Sequence, residues 1–170
     1  MDINPDLEAQ GLTNLTADFK AMPFDDESVD ILIFDPPHIP TDGVTEGSSK
    51  LYYDKYGITE KRGEGRDGNK VSGLFAPFLS EAQRVLKPNG IILAEIADLV
   101  HCSVSQWQQV DFINAVFEAG LTPCDMLIKA DPSAGNMMSG AWKNVFHLRK
   151  AHCYWIVVRK GKCTVPHDNQ

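Results

Sequence analysis

Several absences narrow the reading before any motif is considered. No apolar run in the 170-residue chain is long enough to span a bilayer, and no secretory leader pattern opens it, so a cytoplasmic protein is expected. Internal repeats are absent, which excludes a solenoid or propeller. Cysteine is sparse: Cys102, Cys124, Cys153 and Cys163 show no C-x-x-C spacing, which leaves no basis for a zinc ribbon or a dithiol redox motif. The pairs His101-Cys102 and His152-Cys153 do not amount to a metal site, because adjacent side chains on an extended segment point apart. Reduced cysteines are therefore expected. Positive charge is also short, with 16 Lys and Arg against 23 Asp and Glu and a net charge of −7. That balance argues against non-specific coating of nucleic acid.

What is present is the composition of a single globular domain, 43% hydrophobic and 23% charged. The charge is uneven. Residues 1–60 hold thirteen acids and three bases, whereas 143–170 hold six bases and one acid. The basic end is either a patch for a phosphate backbone or the charged flank of an edge strand.

Along the chain, strands and helices alternate. "DINP" (2–5) reads as the end of a strand, and "TNLTADF" (13–19) and "VDILIFD" (29–35) as two more. The last is a continuous apolar run, the pattern of a strand covered on both faces. Residues 39–70 form a long polar loop, of a kind that is usually functional or disordered. "SGLFAPFLSEAQRVLK" (72–87) carries a helical apolar stripe and is stopped by "PNG" at Gly90. "IILAEIA" (91–97) is a strand. "SQWQQVDFINAVFEAG" (105–120) is a helix, with Ser105 as its cap, Gly120 as its stop, and Trp107, Phe112, Val116 and Phe117 on a buried face. "PCDMLIKAD" (123–131) and "CYWIVVRKG" (153–161) are strands without a helix between them, so they are expected to pair antiparallel. The whole predicts an open, mostly parallel α/β sheet.

Such sheets bind ligands beyond the carboxyl ends of their strands. Three predicted strand ends carry acids: Asp2, Asp18 and Asp35. Carboxylates so placed can accept from ribose hydroxyls and from an adenine amino group, with Ile3 and Phe19 covering the base faces. The third acid opens "DPPH" at 35–38, where two prolines fix the backbone and need no N–H partner. Asp-Pro-Pro also serves as a plain strand-ending turn.

On these residues the chain resembles the class I S-adenosylmethionine-dependent methyltransferases, and within them the DNA amino-methyltransferases that act on adenine N6 and cytosine N4. Their signature is Asp/Asn/Ser-Pro-Pro followed by an aromatic residue, which "DPPH" fits with His38. "ADFKAMPFDDESVDILIFDPP" (17–37) and "EAQRVLKPNGIILAEI" (81–96) match the same family's third to fifth strands. The resemblance implies a Rossmann-like methyltransferase sheet with an antiparallel last strand. It implies S-adenosylmethionine as cofactor, held by Asp2, Ile3, Asp18 and Phe19. Asp35 and Pro36 would accept from the target amine, Pro37 would hold the turn, and His38 would stack on a flipped-out base.

One departure matters. The family's glycine-rich cofactor turn lies upstream of its second strand, and the sequence begins at that strand's end. "GEGRDGN" (63–69) does not replace it, since no apolar strand precedes it. The expectation is a single truncated methyltransferase-like domain over 1–170, lacking the first strand and helix, with 39–71 and 131–151 as substrate-side loops. The strand at 29–35 would then have an open edge, predicting a homo-oligomer or a partner chain that covers it. DNA, and next RNA, is the expected substrate. Trp142, Lys143, His147, Arg149 and Lys150 are candidate contacts with it; Tyr52, Tyr53 and Tyr56 are either further contacts or part of a short packed helix in "LYYDKYG". The alternative is a non-catalytic remnant that binds a partner chain or the cofactor without methyl transfer.

Overall fold

The computed structural model describes residues 8–11, 15–36, 71–101, 104–130 and 152–163. Its main sheet has four strands in the order β1-β2-β6-β5, namely Val29–Phe34, Leu86–Ile96, His152–Arg159 and Thr122–Ala130. β1 runs parallel to β2, while β6 is antiparallel to both β2 and β5. Three strands thus share one direction and β6 opposes them, as the lack of a helix before β6 predicted. A small hairpin, β3 (Leu99–His101) and β4 (Val104–Gln106), follows β2.

Two helices pack on one face of the sheet. A 3-10 turn, Val71–Leu74, leads into α1 (Phe75–Val85), and α2 spans Gln108–Glu118. Pro77 sits in the first turn of α1, where its missing N–H breaks no helical hydrogen bond. The apolar stripe buries Phe75, Phe78, Leu79, Ala82 and Val85. These meet every second residue of β2, Ile92, Ala94 and Ile96, together with Ile156 and Val158 of β6. Phe34 closes the core at the end of β1. Its ring stacks on Phe78, with centroids 3.8 Å apart and planes 7° from parallel.

Several expectations need correction. "TNLTADF" is not an extended strand over its described part: only Thr16 makes a bridge, and residues 19–20 turn. Local bonds win there, because Thr16 donates to Glu8 and the Asp18 carboxylate accepts the Lys20 N–H. Helix α1 stops at Val85, not at Gly90, because Leu86 is already extended and pairs with Val29. Gly90 instead permits a close backbone approach, since a Cβ there would lie 2.9 Å from the Lys87 carbonyl oxygen and 3.2 Å from that of Asp30. Ser105 lies in β4, so it does not cap α2; the buried Asp98 accepts the Gln109 N–H at 3.2 Å instead. Gly120 does end α2, with φ +71°. On α2, Phe112 and Val116 are buried at i, i+4 spacing, but Trp107 precedes the helix and Phe117 falls on its outer face, and both are exposed. Finally, Cys124 and Cys163 are joined in a disulfide, with Cα atoms 5.6 Å apart, so those two are not reduced thiols.

β1 is an edge strand among the described residues, and its apolar run is covered on one face only. Ile31 and Ile33 are 57% and 68% exposed. They continue a half-buried apolar row through Ile91 and Leu93 to Val157. An arginine clasp fixes the approach to β1. Arg84 donates to both Glu81 oxygens, to Asp26 Oδ1, and to the carbonyls of Met22 and Phe24. Glu81 in turn accepts the Met22 N–H at 2.9 Å. The Arg84 hydrogen bonds hold the Glu81 carboxyl below its usual range.

Candidate active site

The carboxyl ends of β1, β2 and β5, with the amino end of the opposed β6, form one margin of the sheet. Asp35 and Pro36 follow β1; Asp35 is exposed and Pro36 buried. Burial of Pro36 beside the locked Phe34 ring fixes the backbone from which Asp35 projects, and a Pro is the residue type that sets such a corner without an orphan N–H. Phe19 lies edge-on to Phe34, with ring centroids 6.1 Å apart, and also meets Phe78. The Asp18–Phe19 corner is therefore brought to the Phe34–Asp35 corner. Asp18 keeps one oxygen on the Lys20 N–H at 2.9 Å, and Phe19 is only partly buried. Of the other residues expected at the site, Asp2, Ile3, Pro37 and His38 lie outside the described residues. So do the three tyrosines of the long loop and the candidate contacts between Trp142 and Lys150.

The same margin holds polar groups that the sequence reading did not single out. Phe34 pairs with Ala94, so Glu95 is the residue of β2 next to Asp35 on the face opposite the helices. The Glu95 side chain is 18% exposed and its Oε1 accepts from Cys153 Sγ at 2.8 Å. Lys129 Nζ, from β5, stands 3.8 Å from the same oxygen. Burial, then the hydrogen bond to Glu95, pushes the Cys153 thiol up to about 11; Lys129 opposes this and the charge of Asp35 adds to it. Asp35 is thus close enough to act on the Glu95–Cys153 pair.

On the helix side of the margin, the Tyr154 hydroxyl lies 2.9 Å from His152 Nε2. Burial raises its pKa, and the neighbouring Asp98 carboxylate adds to the effect. Asp98 is 3% exposed; Oδ1 caps α2, and Oδ2 has no partner at full hydrogen-bond geometry among the described residues. The pair His152-Cys153 does point to opposite faces, as adjacent strand residues must. One signal for Glu95 was present in the sequence: it is a charge interrupting the apolar run of a buried strand just before its carboxyl end.

Neither a scan of family models nor a search of curated proteins gives a match to this chain. Solved structures do. A Thermus thermophilus protein assigned as a DNA modification methylase, complexed with S-adenosyl-L-methionine, is 16% identical with a TM-score of 0.51. The match covers 87% of this chain and 54% of that one. The cytosine-N4-specific PvuII DNA methyltransferase is 16% identical with a TM-score of 0.55, over 82% of this chain and 45% of its own. A structure from Haloferax volcanii, a complex of the Trm112 methyltransferase activator with a methyltransferase, is 20% identical with a TM-score of 0.50. That match covers 91% of this chain and 66% of that one. The likeness is one of fold. The sheet is Rossmann-like, as in these structures, and the chain spans about half the length of the first two proteins. The expected fold class therefore holds.

Proposed function

We propose that this chain is an S-adenosylmethionine-dependent methyltransferase that modifies an exocyclic amino group of a nucleic-acid base. DNA adenine N6 or cytosine N4 is the preferred target. The observation that carries the reading is the placement of Asp35-Pro36 at the carboxyl end of β1, fixed by the buried Pro36 and Phe34, in a sheet of methyltransferase fold. An exocyclic amine is a poor nucleophile because its lone pair is delocalised into the ring. Acceptors from the Asp35 carboxylate and the Pro36 carbonyl, aimed at the two amine hydrogens, favour a pyramidal nitrogen and release that pair. Pro37 keeps the two acceptors aligned and His38 stacks on the extruded base. Bound S-adenosylmethionine supplies an electrophilic methyl group that needs no acid to activate it. The residues present fit a nucleoside: Asp18 retains a carboxylate oxygen beyond its local bond, and Phe19 keeps part of its ring outside the core. Asp2 and Ile3 are assigned to the ribose and base of the same cofactor.

The exposed Ile31–Ile33 edge supports a partner. A second copy, or another polypeptide segment wherever it is encoded, adds a strand to β1 and covers the open row through Leu93. The uncovered edge also favours a second reading, in which the chain binds that partner or the cofactor without transferring methyl. Calorimetric titration with S-adenosylmethionine, followed by transfer of labelled methyl to adenine- or cytosine-containing DNA, separates the two. Asp35→Ala is expected to keep cofactor binding and lose transfer. No heat at millimolar cofactor, with or without a partner, refutes the enzymatic reading.

A further inference from the structure

Helix α2 has two apolar faces, and the core uses only one of them. Phe112 and Val116 are buried against the domain. On the outer side Trp107, Val110 and Phe117 are 55%, 44% and 60% exposed, and Asn114 lies exposed among them. Single exposed apolar residues need no explanation. The spacing of these does. Trp107 caps the helix, its carbonyl accepting the Val110 and Asp111 N–H groups. The four positions then follow at intervals of three, four and three residues. That is the a-d-a-d step of a heptad, which sets one narrow seam along a single side of a helix.

The residues beside the seam decide what can lie on it. Asp111 and Glu118 are both exposed and stand seven residues apart, at the two e positions and hence on the same flank. The g position inside the helix is Ile113, and α2 carries no basic residue. Charges at e and g select which helices pair. A second copy packed antiparallel would set these acids against their own counterparts, and packed parallel it would offer them no base. Glu118 also stands in the last turn, where the helix dipole disfavours an acid, so the stability of α2 does not account for it.

Area points the same way. Aromatic side chains present about 150–250 Å² each, so the exposed parts of Trp107 and Phe117 come to about 200 Å². Val110 extends the seam by less than either ring. A stable dimer needs about 800 Å² from each partner. The seam is too small for a second globular copy and is of the size one helix covers.

We infer that the outer seam of α2 is a docking site for an amphipathic helix of another protein, one with apolar residues at its own a and d positions and Lys or Arg facing Asp111 and Glu118. Binding of this kind lays the apolar side of the incoming helix along the seam. Asn114 fixes the register, since a polar residue at one a position is accommodated only where the partner brings a polar residue opposite it. The docking does not depend on the methyltransferase reading.

The probe is a fluorophore-labelled synthetic peptide of about three heptads, long enough to hold a helix once bound. It has Leu at a and d, Asn at the central a position and Lys at e and g. One control carries Glu in place of every Lys, and a second is the Lys peptide scrambled so that the heptad is lost. Fluorescence anisotropy against the full chain is expected to show binding of the Lys peptide alone. Phe117→Ser should weaken it about 10-fold or more, with the far-ultraviolet spectrum unchanged. Asp111→Lys combined with Glu118→Lys should reverse the preference to the Glu peptide. Equal binding of the Lys peptide and its scrambled form reflects plain attraction to a chain of net charge −7 and overturns the inference. So does the absence of binding at millimolar peptide. Loss of self-association in Phe117→Ser, measured by sedimentation without peptide, also overturns it, because a second copy then occupies the seam.

Discussion

The thiol of Cys153 offers a direct measurement of the site's electrostatics without any substrate. Its proton is retained by burial first and then by Glu95, which accepts the S–H at 2.8 Å, and the thiol is pushed from the ordinary 9.0 to about 11. Only the thiolate is nucleophilic, so at pH 8 roughly one molecule in a thousand is reactive, against roughly one in ten for an unperturbed thiol of that ordinary value. Alkylation by iodoacetamide should accordingly run about 100-fold slower than at an exposed cysteine of similar access. Glu95→Gln removes the negative charge but leaves the burial. Lys129 then acts unopposed by it, and the thiol pKa falls part of the way back. The rate at pH 8 should rise on the order of 10-fold, short of the full span because burial is the largest cause. The assay is the pH dependence of Cys153 labelling, quantified on its own peptide by mass spectrometry. Cys124 and Cys163 are held in their disulfide and do not compete. A labelling profile that does not move in Glu95→Gln, or one that moves to higher pH, refutes the Glu95–Cys153 geometry and with it the arrangement beside Asp35.

Other outcomes follow from the packing. Leu79 is fully buried between α1 and the sheet, and Leu79→Ala should cost about 2–5 kcal/mol, read from the denaturant midpoint. Gly90→Ala places a methyl against two backbone carbonyls that have little room to move, so it should lower the melting temperature and loosen the β1–β2 pair. Glu81 is held below its usual pKa by Arg84, so its contribution to stability is present above the unfolded-state value and is lost as pH falls through the lowered folded one. Glu81→Gln should therefore flatten the acid limb of stability against pH. Ile33→Lys charges the open edge of β1; it should abolish association measured by sedimentation while leaving the far-ultraviolet spectrum unchanged.

The sequence foretold those parts of the fold whose pattern is strong over six or more residues. The apolar run of β1, the alternation in β2 and the stripe of α1 each state their own structure, and the absence of a helix before β6 implied its reversal. What escaped was decided by tertiary competition. Leu86 looks like the last residue of a helix, but pairing with Val29 draws it into a strand. Ser105 looks like a cap, but it is taken up in the β3–β4 hairpin, which folds so that Asp98, seven residues earlier, reaches the helix instead. Three-residue strands are too short to print a period. At the site, the Asp35-Pro36 corner was legible because its residue types are rare in combination. Glu95, Lys129 and Cys153 come from three separate strands, and only register brings them to one oxygen.

The arginine clasp has a consequence for changes of chain length. Arg84 reaches back to Met22, Phe24 and Asp26, across 62, 60 and 58 residues. Together with the parallel β1–β2 pair, it pins both borders of the stretch between Pro36 and Val71. The cost of closing a flexible connection grows only logarithmically, about 0.6 kcal/mol for each doubling of its length. Because both borders are fastened by contacts outside it, a change of chain length between Pro36 and Val71 should leave the Asp35–Pro36 corner and the β1–β2 pair in place.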